Sequence, residues 1–166
     1  MKLKTVRSGG QTGADQTGIE CAAELGLKTA GVMPKGFRTD EGSAEAWAKK
    51  YGLVEHFDPS YVPRTRQNAK DGDATVWFGK TNSPGYYCTK KAAKDWGKPF
   101  HENPTNDEFL AIADLYDDIN VAGNRERMNP GVVEQVRSAF DALRVSIRDK
   151  WAYGSGPGTL SGDGDI

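Results

Sequence analysis

The chain has 166 residues, enough for one domain with one core, and its formal net charge of −1 at pH 7 gives no electrostatic case for a nucleic-acid partner. No apolar run is long enough to span a membrane, no secretory signal precedes the first strand, and Cys21 and Cys88 form no C-x-x-C pair, so a cytoplasmic protein with ordinary thiols is expected. His56 and His101 lie far apart with no clustered cysteines, so no metal site is expected.

The first predicted unit is a strand over Leu3 to Val6, a glycine-rich turn, and a helix over Thr17 to Leu25. Glycine lets backbone N–H groups approach an anion, and a helix N-terminus adds about half a positive charge, so the turn is a candidate phosphate site. Asp15 is placed to cap the helix or to bind a ribose hydroxyl or a cation, and a tight turn without a ligand is the alternative. The candidate residues are Ser8, Gly9, Gly10, Gln11, Thr12, Gly13 and Asp15.

A second strand, predicted over Lys28 to Val32, leads into a loop that carries two cations, Lys35 and Arg38. Alternating strands and helices favour a parallel sheet, in which this loop and the first one both follow the carboxyl ends of strands. Open α/β sheets bind ligands at that edge, so both cations are candidate anion-binding residues. A solvated basic turn is the alternative.

The middle of the chain predicts a helix over Ser43 to Tyr51, a minor strand over Leu53 to Phe57, and a polar helix with Pro63 in its first turn. Arg64 and Asn68 are four residues apart and therefore share one face of that helix. Together they are candidates to hold a phosphate and a base or sugar, and a solvent-facing polar helix is the alternative.

The clearest central strand covers Asp73 to Phe78, and a turn-rich loop and a helix from Tyr86 to Trp96 follow it. This unit repeats the first one, so Ser83 to Gly85 is a second candidate phosphate-binding segment. Tyr86 or Tyr87 is expected to stack on a base. A further strand is predicted over Lys98 to His101.

The last predicted unit is a helix over Asn106 to Tyr116, a strand over Asp118 to Ala122, and a helix from Pro130 to Lys150. The strand leads into a third loop that starts with glycine. Its candidate residues are Gly123, Asn124, Arg125 and Glu126. Residues 1–150 are expected to form one domain, and the Gly-rich residues 151–166 are expected to be a disordered tail.

Several of these blocks resemble the circularly permuted YpsA-related branch of the SLOG superfamily, whose members are also named putative molybdenum carrier proteins. The resemblance covers about residues 3 to 143, with the blocks in the family's order. The blocks are residues 8–15, 31–38, 64–68, 71–73, 120–126 and 130–131. The resemblance implies a Rossmann-like fold, related to Lonely Guy and lysine decarboxylase-like proteins, that binds nucleotides or nucleotide-derived ligands. The carrier name adds molybdenum cofactor as a possible ligand.

The chain departs from the hydrolases of that superfamily. Lonely Guy-type phosphoribohydrolases carry Pro-Gly-Gly-x-Gly-Thr followed by a catalytic glutamate, and Pro84, Gly85 and Thr89 match this pattern. Tyr86 and Cys88 replace two glycines, and Lys90 and Lys91 stand where acidic residues belong. Lysine cannot stabilise an oxocarbenium-like transition state as a carboxylate does. Glu126 and Asp15 remain the candidates for an acid or a nucleophile.

These observations predict one α/β domain with a mostly parallel sheet, helices on both faces, and a site where the three glycine loops meet. The leading hypothesis is a protein that binds a nucleotide-type small molecule as a sensor, carrier or sequestering protein, requires no cofactor, and forms a homo-oligomer. The alternatives are an N-glycosidic hydrolase of the phosphoribohydrolase type and a carrier of molybdenum cofactor.

Overall fold

Strands and helices alternate along residues 1–153, which are the part of the chain that the computed structural model describes. The elements are β1 (Thr5–Arg7), α1 (Ala14–Glu24), β2 (Lys28–Ala30), β3 (Val32–Met33), β4 (Arg38–Thr39), β5 (Gly42–Ser43), α2 (Glu45–Tyr51), β6 (Val54–Glu55), α3 (Tyr61–Asp71), β7 (Ala74–Phe78), α4 (Pro84–Asp95), β8 (Phe100–Glu102), α5 (Asn106–Leu115), β9 (Asp118–Gly123) and α6 (Val132–Tyr153).

The central sheet has five parallel strands in the order β2-β1-β9-β7-β8. When β9 is placed first in the sequence, this becomes the order 3-2-1-4-5 of a Rossmann sheet. The position where the strand order reverses therefore lies between β9 and β7, although β9 is the last strand along residues 1–153. The predicted α/β fold with a mostly parallel sheet is confirmed.

Helices cover both faces of the sheet, as predicted, and the strands alternate their side chains between them. Val76 and Phe78 of β7 face the larger core, which includes residues of α1, α5 and α6. Trp77 faces the opposite side, where it packs with Tyr86 of α4 and Ala122 of β9. All five residues of β7 are buried, as expected of a strand covered on both faces.

The predicted second strand divides into two at Gly31. This glycine has a φ of +147°, and a Cβ atom there would lie 2.0 Å from the Ser8 carbonyl oxygen. The chain leaves the central sheet at this position, so β2 ends at Ala30 and β3 pairs instead with β6 in a separate parallel sheet. A short antiparallel hairpin of β4 and β5, which the sequence analysis did not predict, follows.

The last helix extends beyond its predicted end. α6 continues to Tyr153, so residues 151–153 of the predicted tail are helical. The rest of that prediction, from residue 154 onward, lies outside the described residues. No helix within residues 1–153 has the length and apolar character needed to cross a membrane.

Candidate functional site

A cavity of about 430 Å³ opens at the carboxyl edge of the sheet, where β1, β7 and β9 end. It lies at the reversal of strand order, the usual ligand position in open α/β sheets, and its volume falls in the roughly 300–1,000 Å³ range of small-molecule sites. Other depressions lie beside α6. One is a groove between α6 and α1, and another is an open surface between α6 and α5; neither of these two contains a predicted site residue. We therefore take the cavity at the sheet edge as the candidate site.

The cavity brings together about half of the predicted site residues. Those that line it are Gln11, Asp15, Arg64, Ser83, Pro84, Gly85, Thr89, Gly123, Asn124 and Arg125. The predicted residues that do not line it are Ser8, Gly9, Gly10, Thr12, Gly13, Lys35, Arg38, Asn68 and Tyr86. The cavity thus draws on the starts of α1, α3 and α4 and on the loop after β9, rather than on the glycine loops alone.

Arg64 is the buried cation of the cavity, extending from the first turn of α3. Its side chain is 12% exposed, and Nη1 lies 3.7 Å from Oδ2 of Asp15, which is beyond hydrogen-bond distance. Its Nε atom is buried and has no hydrogen-bond partner within residues 1–153. Burial lowers the pKa of Arg64, and the carboxylate of Asp15 raises it. A buried donor without a partner is costly in a folded protein, so this part of the Arg64 guanidinium is unsatisfied in the structure.

Asp15 lies opposite Arg64 on the first turn of α1 and is 3% exposed. Burial raises the pKa of its carboxyl group to about 6, while Arg64 and the backbone N–H groups of Gln11, Gly123 and Gly9 lower it. Its Oδ2 atom accepts the Gln11 N–H at 3.3 Å. The carboxylate therefore occupies the N–H groups that the sequence analysis assigned to a phosphate.

The first glycine loop makes room for these groups. A Cβ atom on Gly9 would lie 1.9 Å from Nη1 of Arg64, so this glycine allows the guanidinium to pack against the loop. Gly13 has a φ of +90°, and a Cβ there would lie 2.5 Å from the Asn124 carbonyl oxygen, which accepts the first N–H of α1. The N–H of Gly10 donates a hydrogen bond to Oγ of Ser8, and the N–H of Thr12 donates one to Oε1 of Gln11. The loop positions Arg64 and α1, and its N–H groups are largely committed within the protein.

The N-terminus of α4 forms another wall. Ser83 is the N-cap, and its Oγ atom accepts the Tyr86 N–H at 3.2 Å and the Asn124 side-chain amide at 3.3 Å, which leaves the hydroxyl hydrogen free to donate. Pro84 has no N–H, and the N–H of Gly85 has no acceptor among the described residues. Thr89 donates its hydroxyl to the Gly85 carbonyl. The exposed positive end of α4 therefore faces the cavity.

Asn124 holds two loops together. Its Oδ1 atom accepts the Lys80 N–H at 2.6 Å, and its Nδ2 group donates to Ser83. A Cβ on Gly79 would lie 2.2 Å from that Oδ1 atom, so Gly79 permits the contact. The polar groups of Asn124 are thus used to fix the start of α4 rather than directed freely toward a sugar or base.

A second arginine at the cavity lies near an acidic residue that the sequence analysis missed. Asp40, at the tip of the β4–β5 hairpin, has its Oδ2 atom 3.7 Å from Nε of Arg125 and 3.3 Å from Nε of Arg127. Its Oδ1 atom accepts the Thr12 hydroxyl at 2.6 Å. The sequence signal was the two-residue turn Asp40-Glu41 before Gly42, but its distance along the chain from Arg125 concealed the contact.

The aromatic residues at the cavity are not those that the sequence analysis proposed. Tyr61 and Trp77 line it, whereas Tyr86 is buried against Trp77 and hydrogen-bonded to Glu102. Tyr87 is 59% exposed and does not line the cavity. The guanidinium carbon of Arg38 lies 4.7 Å from the Tyr61 ring centre, so Arg38 contacts the cavity wall from outside. Lys35 is exposed and lies elsewhere.

Glu126 and Asn68 have structural roles in this fold. Glu126 accepts the Gly131 and Val133 N–H groups at 2.7 and 2.9 Å, so it caps the start of α6, and these hydrogen bonds lower its pKa. Asn68 is 1% exposed and bonds both the N–H and the carbonyl of Val32, each at 2.9 Å. It therefore ties α3 to β3 as an additional strand would.

We expect Asn68→Ala to lower the free energy of unfolding by about 2 kcal/mol, because two backbone groups of Val32 lose their partners. Urea denaturation measures the effect. Gln67→Ala is the matched control, because Gln67 is the neighbouring residue and its side chain makes only an exposed hydrogen bond to Asp71. Its free energy of unfolding is expected to stay within about 0.5 kcal/mol of the wild type. Equal midpoints for the two variants would contradict the structural role of Asn68.

The strand order defines a Rossmann-like domain, and the cavity lies at the reversal of strand order, where such domains commonly bind ligands. The chain belongs to the circularly permutated YpsA SLOG family, whose model matches residues 6–144. The resemblance noted in the sequence is thereby confirmed, and the permuted strand order agrees with the family's description.

Among solved structures, the chain is similar to a protein from Syntrophus aciditrophicus SB described as a "Putative molybdenum carrier protein", with a TM-score of 0.77 and 24% identity over 86% of this chain and 95% of that chain. This likeness supports the fold. An (E)-4-hydroxy-3-methyl-but-2-enyl diphosphate reductase aligns with a TM-score of only 0.36 and 14% identity over 84% of this chain and 59% of that chain, which carries no structural argument. No curated protein is significantly similar.

Proposed function

We propose that this protein binds an anionic, nucleotide-type small molecule in the cavity at the carboxyl edge of its sheet. The observation that carries the proposal is the buried Arg64 guanidinium, whose Nε atom has no partner in residues 1–153. An arginine in such a position gains most from a phosphate or carboxylate, which accepts several of its N–H groups at once. Membership of the SLOG family supports a ligand-binding role in general.

The anionic group of the ligand would lie between Arg64 and the start of α4. There the Ser83 hydroxyl and the Gly85 N–H are uncommitted donors within the described chain, and the helix end adds its partial positive charge. Arg125 lines the same cavity and is held by Asp40 at 3.7 Å, too far for a hydrogen bond. These groups favour phosphate over a neutral ligand.

The remainder of the cavity suits a flat, less polar group. Tyr61 supplies aromatic surface, the buried Trp77 forms part of the wall, and Val62 and Met128 at the mouth are 53% and 56% exposed. A nucleobase fits this combination, since aromatic side chains stack on it and the apolar rim removes its faces from water. Phosphate donors on one side and aromatic surface on the other support a nucleotide rather than a simple inorganic anion.

Isothermal titration calorimetry of the protein with 5′-AMP and with adenosine tests the proposal. AMP is expected to bind at least about tenfold more tightly than adenosine, because a hydrogen bond to a charged group contributes roughly 1.5–3 kcal/mol. Ser83→Ala is expected to weaken AMP binding about tenfold, whereas Ser138→Ala, an exposed residue of α6, leaves it unchanged. Equal affinity for adenosine and AMP, or no binding of either, would contradict the proposal.

One observation favours hydrolysis as a second function. Asp15 lines the cavity, and its pKa of about 6 suits a group that transfers a proton near neutral pH. If the protein releases adenine from AMP and Asp15→Asn abolishes this release, the protein is an N-glycosidic hydrolase. If AMP stays intact in the presence of the protein, AMP is not a substrate. Lys90 and Lys91 pair with Glu102 and Asp95 and do not line the cavity.

The name of the Syntrophus protein raises molybdenum cofactor as another possible ligand. That cofactor is a pterin with a phosphate, so Arg64 and the start of α4 would hold it in the same way as a nucleotide. Molybdenum content and pterin fluorescence of the purified protein distinguish the two ligands.

Self-association into a homo-oligomer stays a prediction, which light scattering in solution can check.

A further inference from the structure

Asp15 stands where the anionic group of a ligand would bind. Its carboxylate is 3.7 Å from Arg64, accepts the Gln11 N–H, and is 3% exposed. Among the described residues that line the cavity, Asp15 is the only acidic one. In this structure the protein's own carboxylate therefore partly neutralises the cation that we assign to the ligand.

Apart from backbone N–H groups, the negative charge of Asp15 is compensated by one side-chain cation of the described chain within ion-pair distance, Arg64. Arg64 and Tyr61 on α3, Cys88 on α4 and Arg125 on the β9–α6 loop are the ionisable groups that share the cavity with it. Tyr61 and Cys88 can supply no positive charge, and Arg125 lies near Asp40 on the hairpin. A phosphate beside Arg64 would therefore place a second negative charge close to a buried carboxylate that has only one nearby cation of its own.

We propose that Asp15 is a ligand-binding residue that takes up a proton when the anionic group of the ligand binds beside Arg64. The neutral carboxylic acid no longer competes for Arg64, and its O–H donates a hydrogen bond to the ligand or to a neighbouring acceptor. The inference rests on the proposed function, since it concerns the same cavity and an anionic ligand.

The size of the effect follows from the pKa of Asp15 in the free protein, which burial raises to about 6. At pH 7.5 the carboxyl group is almost fully ionised, so binding of AMP to the wild type takes up close to one proton. Asp15→Asn mimics the neutral acid and needs no proton. It is expected to bind AMP about 30-fold more tightly than the wild type at pH 7.5, but only about twofold more tightly at pH 6.

Titration calorimetry of the full chain with AMP, in buffers that differ in ionisation enthalpy, measures both quantities. An uptake of about one more proton in the wild type than in Asp15→Asn at pH 7.5 supports the inference, because subtracting the variant removes any protonation of AMP itself. Binding without this extra uptake, or an affinity ratio that does not change between pH 7.5 and 6, would overturn it. Absence of AMP binding to both proteins is a failure of the proposed function, and the inference falls with it.

Discussion

Arg64→Gln is expected to weaken AMP binding by roughly 30-fold or more, since removal of a buried charged donor costs about 2–5 kcal/mol. Glutamine retains much of the side chain's length but brings neither the positive charge nor the planar set of five N–H groups. The loss should be seen for AMP and not for adenosine, because Arg64 acts on the phosphate. Titration calorimetry with both ligands measures the difference.

The matched control is Arg66→Gln, two residues along the same helix. Arg66 is 40% exposed and pairs with Asp95 outside the cavity, so its loss should leave AMP affinity within about twofold of the wild type. Arg64→Gln also leaves Asp15 without its cation, and the double variant with Asp15→Asn removes that unpaired charge. If folded Arg64→Gln bound AMP as tightly as the wild type, the phosphate could not lie beside Arg64.

Gly123→Ala is expected to lower the free energy of unfolding by about 3 kcal/mol, a large part of the roughly 5–15 kcal/mol that a domain possesses. A Cβ atom there would lie 2.1 Å from the Phe78 carbonyl oxygen and 2.6 Å from Cβ of Ala14. Phe78 and Gly123 are paired at the carboxyl ends of β7 and β9, so the methyl group would separate the two central strands. Urea denaturation followed by circular dichroism measures the change.

Gly85→Ala is the control for backbone entropy and for a methyl group near the cavity. Its Cβ atom would lie 3.8 Å from the Trp77 ring, an ordinary van der Waals contact, so the variant should be as stable as the wild type or slightly more stable. If Gly123→Ala unfolded at the same urea concentration as Gly85→Ala, the central strands would have to accept the added atom, and the close approach would not be essential.

Local sequence patterns predicted most of the elements because their apolar spacing is regular. The strand β7 and the helices α2, α5 and α6 were found near their actual bounds, and the parallel sheet followed from alternation. The break at Gly31 was missed because it depends on the Ser8 carbonyl, a backbone group more than twenty residues away. The short hairpin after it was missed because strands of two residues carry no periodic signal.

The candidate site was predicted in its parts but not in its arrangement. Each of the three predicted loops contributes residues to the cavity, since each follows a strand that ends at the same edge of the central sheet. Arg64 also lines the cavity, but it comes from α3, which follows β6 of the separate sheet. Sequence could not show that Asn68 and Glu126 direct their polar groups at the backbone of other segments. Nor could it show that Gly9 makes space for a guanidinium rather than for a phosphate, because both interpretations require the same residue.

The position of β9 in the sheet has a consequence for how the chain reaches its fold. β9 alone joins the pair β2-β1 to the pair β7-β8, yet it is synthesised after all of them. Until residues 118–123 emerge from the ribosome, the two pairs have no strand between them and their inner edges lack partners. Assembly of the central sheet must therefore wait until β9 has been synthesised, and each pair of strands that forms earlier exposes a pairing-competent inner edge until then.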